Sequence, residues 1–138
     1  MELAKSCEYA IRGLLFFAQR SNPFEPVLLR DIAARANAPE AFLSKVFQAL
    51  RASNLVRSHR GKIRGYSLAR PPDEISLHDI IVATQGPAAV RSFHAGTPAR
   101  RVKDPFRKVW KQIEEDIEDT LKHTTLRSIL LQDIEGRA

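Results

Sequence analysis

Leu55-Val-Arg-Ser-His-Arg-Gly-Lys-Ile-Arg-Gly-Tyr-Ser-Leu68 is the stretch that decides the fold. Residues 55 to 59 and 65 to 68 are short strand candidates, and the turn between them holds Arg60, Lys62 and Arg64 flanked by Gly61 and Gly65. No acidic residue occurs from Arg57 to Arg70. Uncompensated positive charge at a hairpin tip repels itself, so its presence points to something negative docking there, such as phosphates or a narrow minor groove. A solubilising surface loop is the simpler alternative, and the segment just upstream argues against it. There, one short helix starts near Leu29, carries Ile32, Ala33 and Ala36 inward and ends at Asn37, which tolerates the left-handed conformation of a helix C-terminus. A third helix begins at Pro39 and runs to about Ala52 on an apolar seam of Leu43, Val46, Phe47 and Leu50. Two short helices and a basic hairpin predict a winged helix-turn-helix, a shape suited to duplex DNA.

The side of that third helix opposite the seam carries Ala41, Ser44, Lys45 and Gln48, with Glu40 and Arg51 at its margins. Small side chains permit close approach to a groove, and Ser, Lys, Gln and Arg can bond to base edges or phosphates. Taken alone, such a face is more often merely solvated. It gains weight from the cationic hairpin beside it, so Glu40, Ala41, Ser44, Lys45, Gln48, Arg51, Arg60, Lys62 and Arg64 are the candidate DNA-binding residues.

Further out, the pattern Leu3, Cys7, Ala10, Leu14, Phe17 predicts a first helix over about residues 2 to 20, widened by Ile11, Leu15 and Ala18 and broken by Ser21-Asn-Pro-Phe-Glu-Pro26. Ser76 is a candidate N-cap for a helix from Leu77 to Gln85, with Asp79 completing the capping pattern and Gly86-Pro87 ending it. Residues 88 to 104, rich in small residues with Arg91, Arg100, Arg101, Lys103 and Pro98, read as a mobile loop. A long helix follows from about Pro105 to His123, with Phe106, Val109, Trp110, Ile113, Ile117 and Leu121 on one stripe and Glu114, Glu115, Asp116, Glu118 and Asp119 crowding the other faces. Thr125 is a candidate cap for a last helix through Asp133. A chain this small has difficulty covering both the first helix and that stripe, so pairing of two chains along the stripe is expected, acidic stalks away from DNA. The expected fold class is mainly α with a small β-wing. Its expected parts are residues 1–86 as the winged helix-turn-helix, 87–104 as a loop, and 105–138 as the dimerisation helix and a short C-terminal helix.

Composition limits the alternatives. With 138 residues one domain with a modest core is expected. The net charge of +6 and pI near 9.9 favour a polyanionic partner. The longest apolar run, Leu14-Leu-Phe-Phe-Ala18, is too short for a bilayer, and Met1-Glu-Leu leads straight into an amphipathic pattern; no membrane association and a cytoplasmic location are the expectations. No Gly-x-Ser-x-Gly elbow, phosphate-cradling glycine loop or paired histidine motif is present, so no catalytic residues are assigned and an enzyme is not expected. The rival reading is a winged-helix interaction module whose basic wing binds an acidic protein.

Several segments carry a family pattern: Tyr9-Ala-Ile-Arg, Leu43-Ser-Lys-Val-Phe-Gln-Ala-Leu-Arg51, Asn54-Leu-Val, Arg60-Gly61, Gly65-Tyr66 and Ala69-Arg-Pro-Pro-Asp-Glu-Ile-Ser-Leu-His-Asp-Ile-Ile81. In this order, and with the late Trp110 and Thr125-Leu126, the chain resembles Rrf2-family transcriptional regulators over nearly its whole length. The resemblance implies a homodimeric winged-helix repressor or activator, a repressor being the expected form. Its partner would be double-stranded DNA carrying a roughly palindromic operator, and the residue 87–104 region would stand in the effector-loop position, for an effector the sequence does not name. Two features depart from the family. The wing reads Gly61-Lys-Ile-Arg-Gly-Tyr66 where glycine and proline are usual, gaining two charges, and Ser44 stands where some members have an acidic readout residue. Iron-sulfur members carry three cysteines before the long helix, whereas the segment from Gly86-Pro87 to Pro105 has none, so no cofactor and no metal are expected. Glu8, at a position from which some members ligate across the dimer, and His94 cannot replace three thiolates, and Glu8 is expected to be solvated or ion-paired. Cys7, the one cysteine, is a candidate redox sensor near Lys5, but its place among Leu3, Ala10 and Leu14 favours a core role. His59, His78 and His123 show no metal spacing and read as ordinary surface or wing residues.

Overall fold

Seven helices and one hairpin make up the computed structural model, which describes residues 3–91 and 105–137. The expected effector-position loop therefore falls largely outside the described residues. Helix α1 spans Lys5–Ala18 and is shorter at both ends than the apolar pattern predicts. Leu3 precedes it and is exposed, so the seam begins at Cys7. Helices α2 (Leu29–Ala36) and α3 (Glu40–Ala52) form the helix-turn-helix, with Pro39 as the N-cap of α3. Asn37 adopts φ 52° and lets the Ala38 N–H donate to the Ala33 carbonyl at 3.0 Å, which closes α2 with a Schellman turn. Asn54, at φ 59°, does the same for α3 through Leu55 N–H to Leu50 O at 3.0 Å.

Strands β1 (Val56–His59) and β2 (Gly65–Leu68) pair antiparallel, Val56 opposite Leu68 and His59 opposite Gly65. Val27 adds a bridge to Tyr66 through two backbone hydrogen bonds of 2.8 and 2.9 Å, so the wing is anchored to the segment that enters α2. Gly65 makes this possible. At φ +125° any Cβ there would lie 2.1 Å from the Val27 carbonyl oxygen.

The core gathers under this platform. Leu14 and Phe17 of α1, Ile32 of α2, Leu43, Phe47 and Leu50 of α3, and Leu55 and Leu68 at the wing base are all buried. Phe47 is central, with ring centroids 6.4 Å from Phe17 and 5.1 Å from Tyr66. Gly13 leaves room for it, because a Cβ there would meet the Phe47 ring at 3.1 Å.

After a 3-10 turn at Pro72–Glu74, helix α4 runs from Leu77 to Gln85. Its capping box forms as expected: Asp79 N–H donates to Ser76 Oγ at 3.1 Å and Ser76 N–H to Asp79 Oδ2 at 3.0 Å. A short helix α5, Ala88–Arg91, occupies the start of the segment read as loop. Helix α6 covers Pro105–His123 as predicted, and α7 runs Leu126–Arg137, longer than expected. Thr125 and Ser128 cap α7 reciprocally, at 2.8 and 3.1 Å.

One expectation about α6 needs correction. Glu114 is not on an open acidic face but buried, because its position continues the inward arc of Trp110, Ile117 and Leu121, which lies toward α4. The apolar stripe grades from that half-buried side to Phe106, Val109 and Ile113, which are 64, 60 and 41% exposed. The α6–α7 junction is tied to the winged unit. Leu126 of α7 is part of the core, Leu77 N–H donates to Thr124 O at 2.8 Å, and Leu126 N–H donates to Ile75 O at 3.0 Å.

Candidate nucleic-acid interface

The exposed face of α3 is set by the same periodicity that buries Leu43, Val46, Phe47 and Leu50. Glu40, Ala41, Lys45, Gln48 and Arg51 are exposed, and Ser44 is half-buried at the edge. The helix cannot easily roll, because Phe47 is locked from behind and Phe42 packs edge-on against Tyr9 of α1 at 5.5 Å. That rigidity suits a helix which must keep its register in a groove.

Arg60, Lys62 and Arg64 are exposed at the hairpin tip, and Arg57 is exposed on β1. Among the described residues none of the four ion-pairs with a carboxylate, so no described acidic group neutralises their charge. The hairpin is braced by His59, whose Nε2 lies 2.8 Å from Ser67 Oγ, which gives that histidine a structural part the sequence did not reveal. The nine candidate contact residues thus lie on one helix and the adjoining wing. Two features escaped sequence reading. Arg57 alternates with inward Val56 and was visible as a cation but not as a wing-face residue, and Ile63 is 70% exposed at the tip.

Cys7 is fully buried in the core. Burial pushes its thiol above the ordinary value, with a further upward push from the Glu8 carboxylate, and a Thr84 side-chain hydrogen bond only partly opposes this. A thiol held neutral and covered is a poor redox sensor, and the geometry favours the packing role. Glu8 pairs with Lys5 at 3.8 Å. His78 is less ordinary than its spacing implied, since its Nε2 lies 3.6 Å from Glu118 Oε1 and links α4 to α6.

Residues 3–132 match the model of the Rrf2 family, described as an iron-dependent transcriptional regulator. Among curated proteins, Rv1287 of Mycobacterium tuberculosis, provisionally named an HTH-type transcriptional regulator, is 34% identical over 94% of this chain and 81% of its own length. The HTH-type transcriptional regulator CymR of Bacillus subtilis is 29% identical over 94% of this chain and 89% of its own. Among solved structures, B. subtilis CymR, described as the global cysteine regulator, superposes with TM-score 0.76 at 27% identity, covering 94% of this chain and 95% of its own. IscR of T. potens superposes with TM-score 0.73 at 28% identity, over 100% of this chain and 92% of its own. An iron centre held by thiolates does not fit the residues of this chain. Its one cysteine is sealed in the core, and among the described residues no three His, Cys, Asp or Glu side chains converge as a metal site. With a winged helix built as those structures are, and a match running almost from end to end, the chain belongs to the Rrf2 family and is a DNA-binding transcriptional regulator, not an enzyme.

Proposed function

We propose that the protein acts in the cytoplasm as a homodimeric repressor that reads a roughly palindromic operator without an iron-sulfur cluster. The observation that carries this reading is the pairing of an exposed cationic wing, without an ion-paired carboxylate among the described residues, with an exposed polar face on a locked α3. In this reading α3 lies in the major groove with Ala41, Ser44, Lys45 and Gln48 near base edges and Glu40 and Arg51 at its margins. Arg60, Lys62 and Arg64 then reach the backbone or minor groove alongside.

Dimerisation is supported by α6. Its 19 residues extend about 28 Å, and Phe106, Val109 and Ile113 leave an apolar strip along it that a second copy would cover. The exposed carboxylates Glu115, Asp116 and Asp119 on the same helix repel DNA, which favours the wing end as the docking end. Two copies related by a two-fold axis would present recognition helices to half-sites about one helical turn, or ~34 Å, apart. Regulation follows from the hydrogen bonds that join α4 to the α6–α7 junction: a signal that shifts α6 at the seam would shift the winged units and their spacing.

Footprinting of the DNA upstream of the protein's own gene, together with light scattering of the free protein, tests the proposal. Protection of two symmetric half-sites and a mass of two chains are expected. A one-chain mass at micromolar concentration, or no protected site, contradicts it.

A further inference from the structure

Ile63 is more exposed than any other large apolar side chain among the described residues. It is 70% exposed at the tip of the hairpin, between Lys62 and Arg64, and it belongs to no part of the core. The tip projects into open space, since even a Cβ added at Gly61 would meet nothing within 4 Å. Gly61, at φ +107°, and Gly65 set the loop's path, so the five residues between the strands form a narrow finger carrying three cations and one branched hydrocarbon.

From this placement we infer that Ile63 is an apolar minor-groove contact that biases the protein toward A·T-rich sequence beneath the wing. The inference rests on the DNA-binding reading and deepens it. The cations would draw the finger to the phosphate rows on either side of the groove. What lies between those rows is a wall of deoxyribose, largely apolar, which hydrocarbon can desolvate at little cost. The β-branched side chain is stiff at χ1 and loses little rotamer freedom on insertion. At the groove floor a G·C pair presents the guanine N2 amino donor, which an isoleucine would cover without offering an acceptor, whereas an A·T pair presents no donor to strand. Apolar side chains at minor-groove steps also favour the more deformable pyrimidine–purine steps.

The test uses the full chain and two duplexes of equal length and identical centre, flanked by A·T-rich or by G·C-rich sequence, with affinity followed by fluorescence anisotropy across a salt series. Wild type should favour the A·T-flanked duplex. Ile63→Ala should lose about fivefold on that duplex and little on the other, while the dependence of affinity on salt stays unchanged, because no phosphate contact is removed. Ile63→Leu should keep the preference. Thermal melting should be the same for all three proteins, since the residue is outside the core. The inference is overturned if Ile63→Ala binds both duplexes as wild type does, or if it weakens both equally. Wild type failing to bind either duplex would remove the DNA-binding reading and this inference with it; a wild type that binds, with an indifferent Ile63→Ala, removes only the inference.

Discussion

Replacing Gly65 by alanine should unseat the wing, and the cost can be worked from the backbone. The new Cβ would stand 2.1 Å from the Val27 oxygen, 2.5 Å from its carbonyl carbon and 3.0 Å from the Leu28 nitrogen, all main-chain atoms that no rotamer change can move aside. The Val27 segment must retreat, which breaks the two hydrogen bonds to Tyr66 at about 1 kcal/mol each. Holding alanine at φ +125° adds about 1–2 kcal/mol of strain. The sum, about 3–4 kcal/mol, is a large share of the ~5–15 kcal/mol that stabilises an ordinary domain. Gly61→Ala is the control. Gly61 also has positive φ, +107°, but open space around it, so only the strain of about 1–2 kcal/mol should appear. Urea denaturation of both variants at matched protein concentration measures the difference. Equal losses for the two, or a loss below about 1 kcal/mol for Gly65→Ala, would refute the steric argument.

Other outcomes follow from particular contacts. Ser76→Ala removes one arm of the α4 capping box and should cost about 1 kcal/mol in chemical denaturation, with Ser76→Asp retaining most of it. The Cys7 thiol should resist a water-soluble thiol reagent in the folded protein and react fully in denaturant. Because the folded state raises its ionisation point, the unfolded state releases the proton first. Stability should therefore be unaffected by this group below the ordinary thiol value of 9.0 and should fall as pH rises above it, a slope that Cys7→Ala removes. Val109→Lys with Ile113→Lys should yield monomers by light scattering while leaving the core of the single chain intact, since both residues are exposed in it.

The sequence revealed those parts of the fold that are written in local pattern. The α6 boundaries followed from Pro105 and a regular amphipathic stripe, and Asn37, which ends α2, carries its own conformational preference. The capping box at Ser76 is a local hydrogen-bond exchange, so it too was visible. What the pattern hid depends on distant neighbours. Leu3 fits the seam by spacing but lies beyond the helix and is exposed. Glu114 is buried because α6 turns that arc toward α4, which its charge alone argues against. The Val27–Tyr66 bridge joins residues far apart in the chain, and only the structure shows that Gly65 is required by it. For the proposed contact surface, the nine candidates were drawn from residue type, helical phase and place in the hairpin, none of which gives exposure. Ile63, 70% exposed, therefore stood unmarked among its charged neighbours.

The central claim is that the wing's cations meet DNA phosphates. Affinity for duplex DNA, measured against salt for wild type and for Arg60→Ala combined with Arg64→Ala, addresses it most directly. Each phosphate contact contributes about 0.9 to the slope of log affinity on log salt, so the double variant should bind more weakly and show a slope shallower by about 2. An unchanged slope and affinity, or a wild type that binds no duplex at low salt, would contradict it.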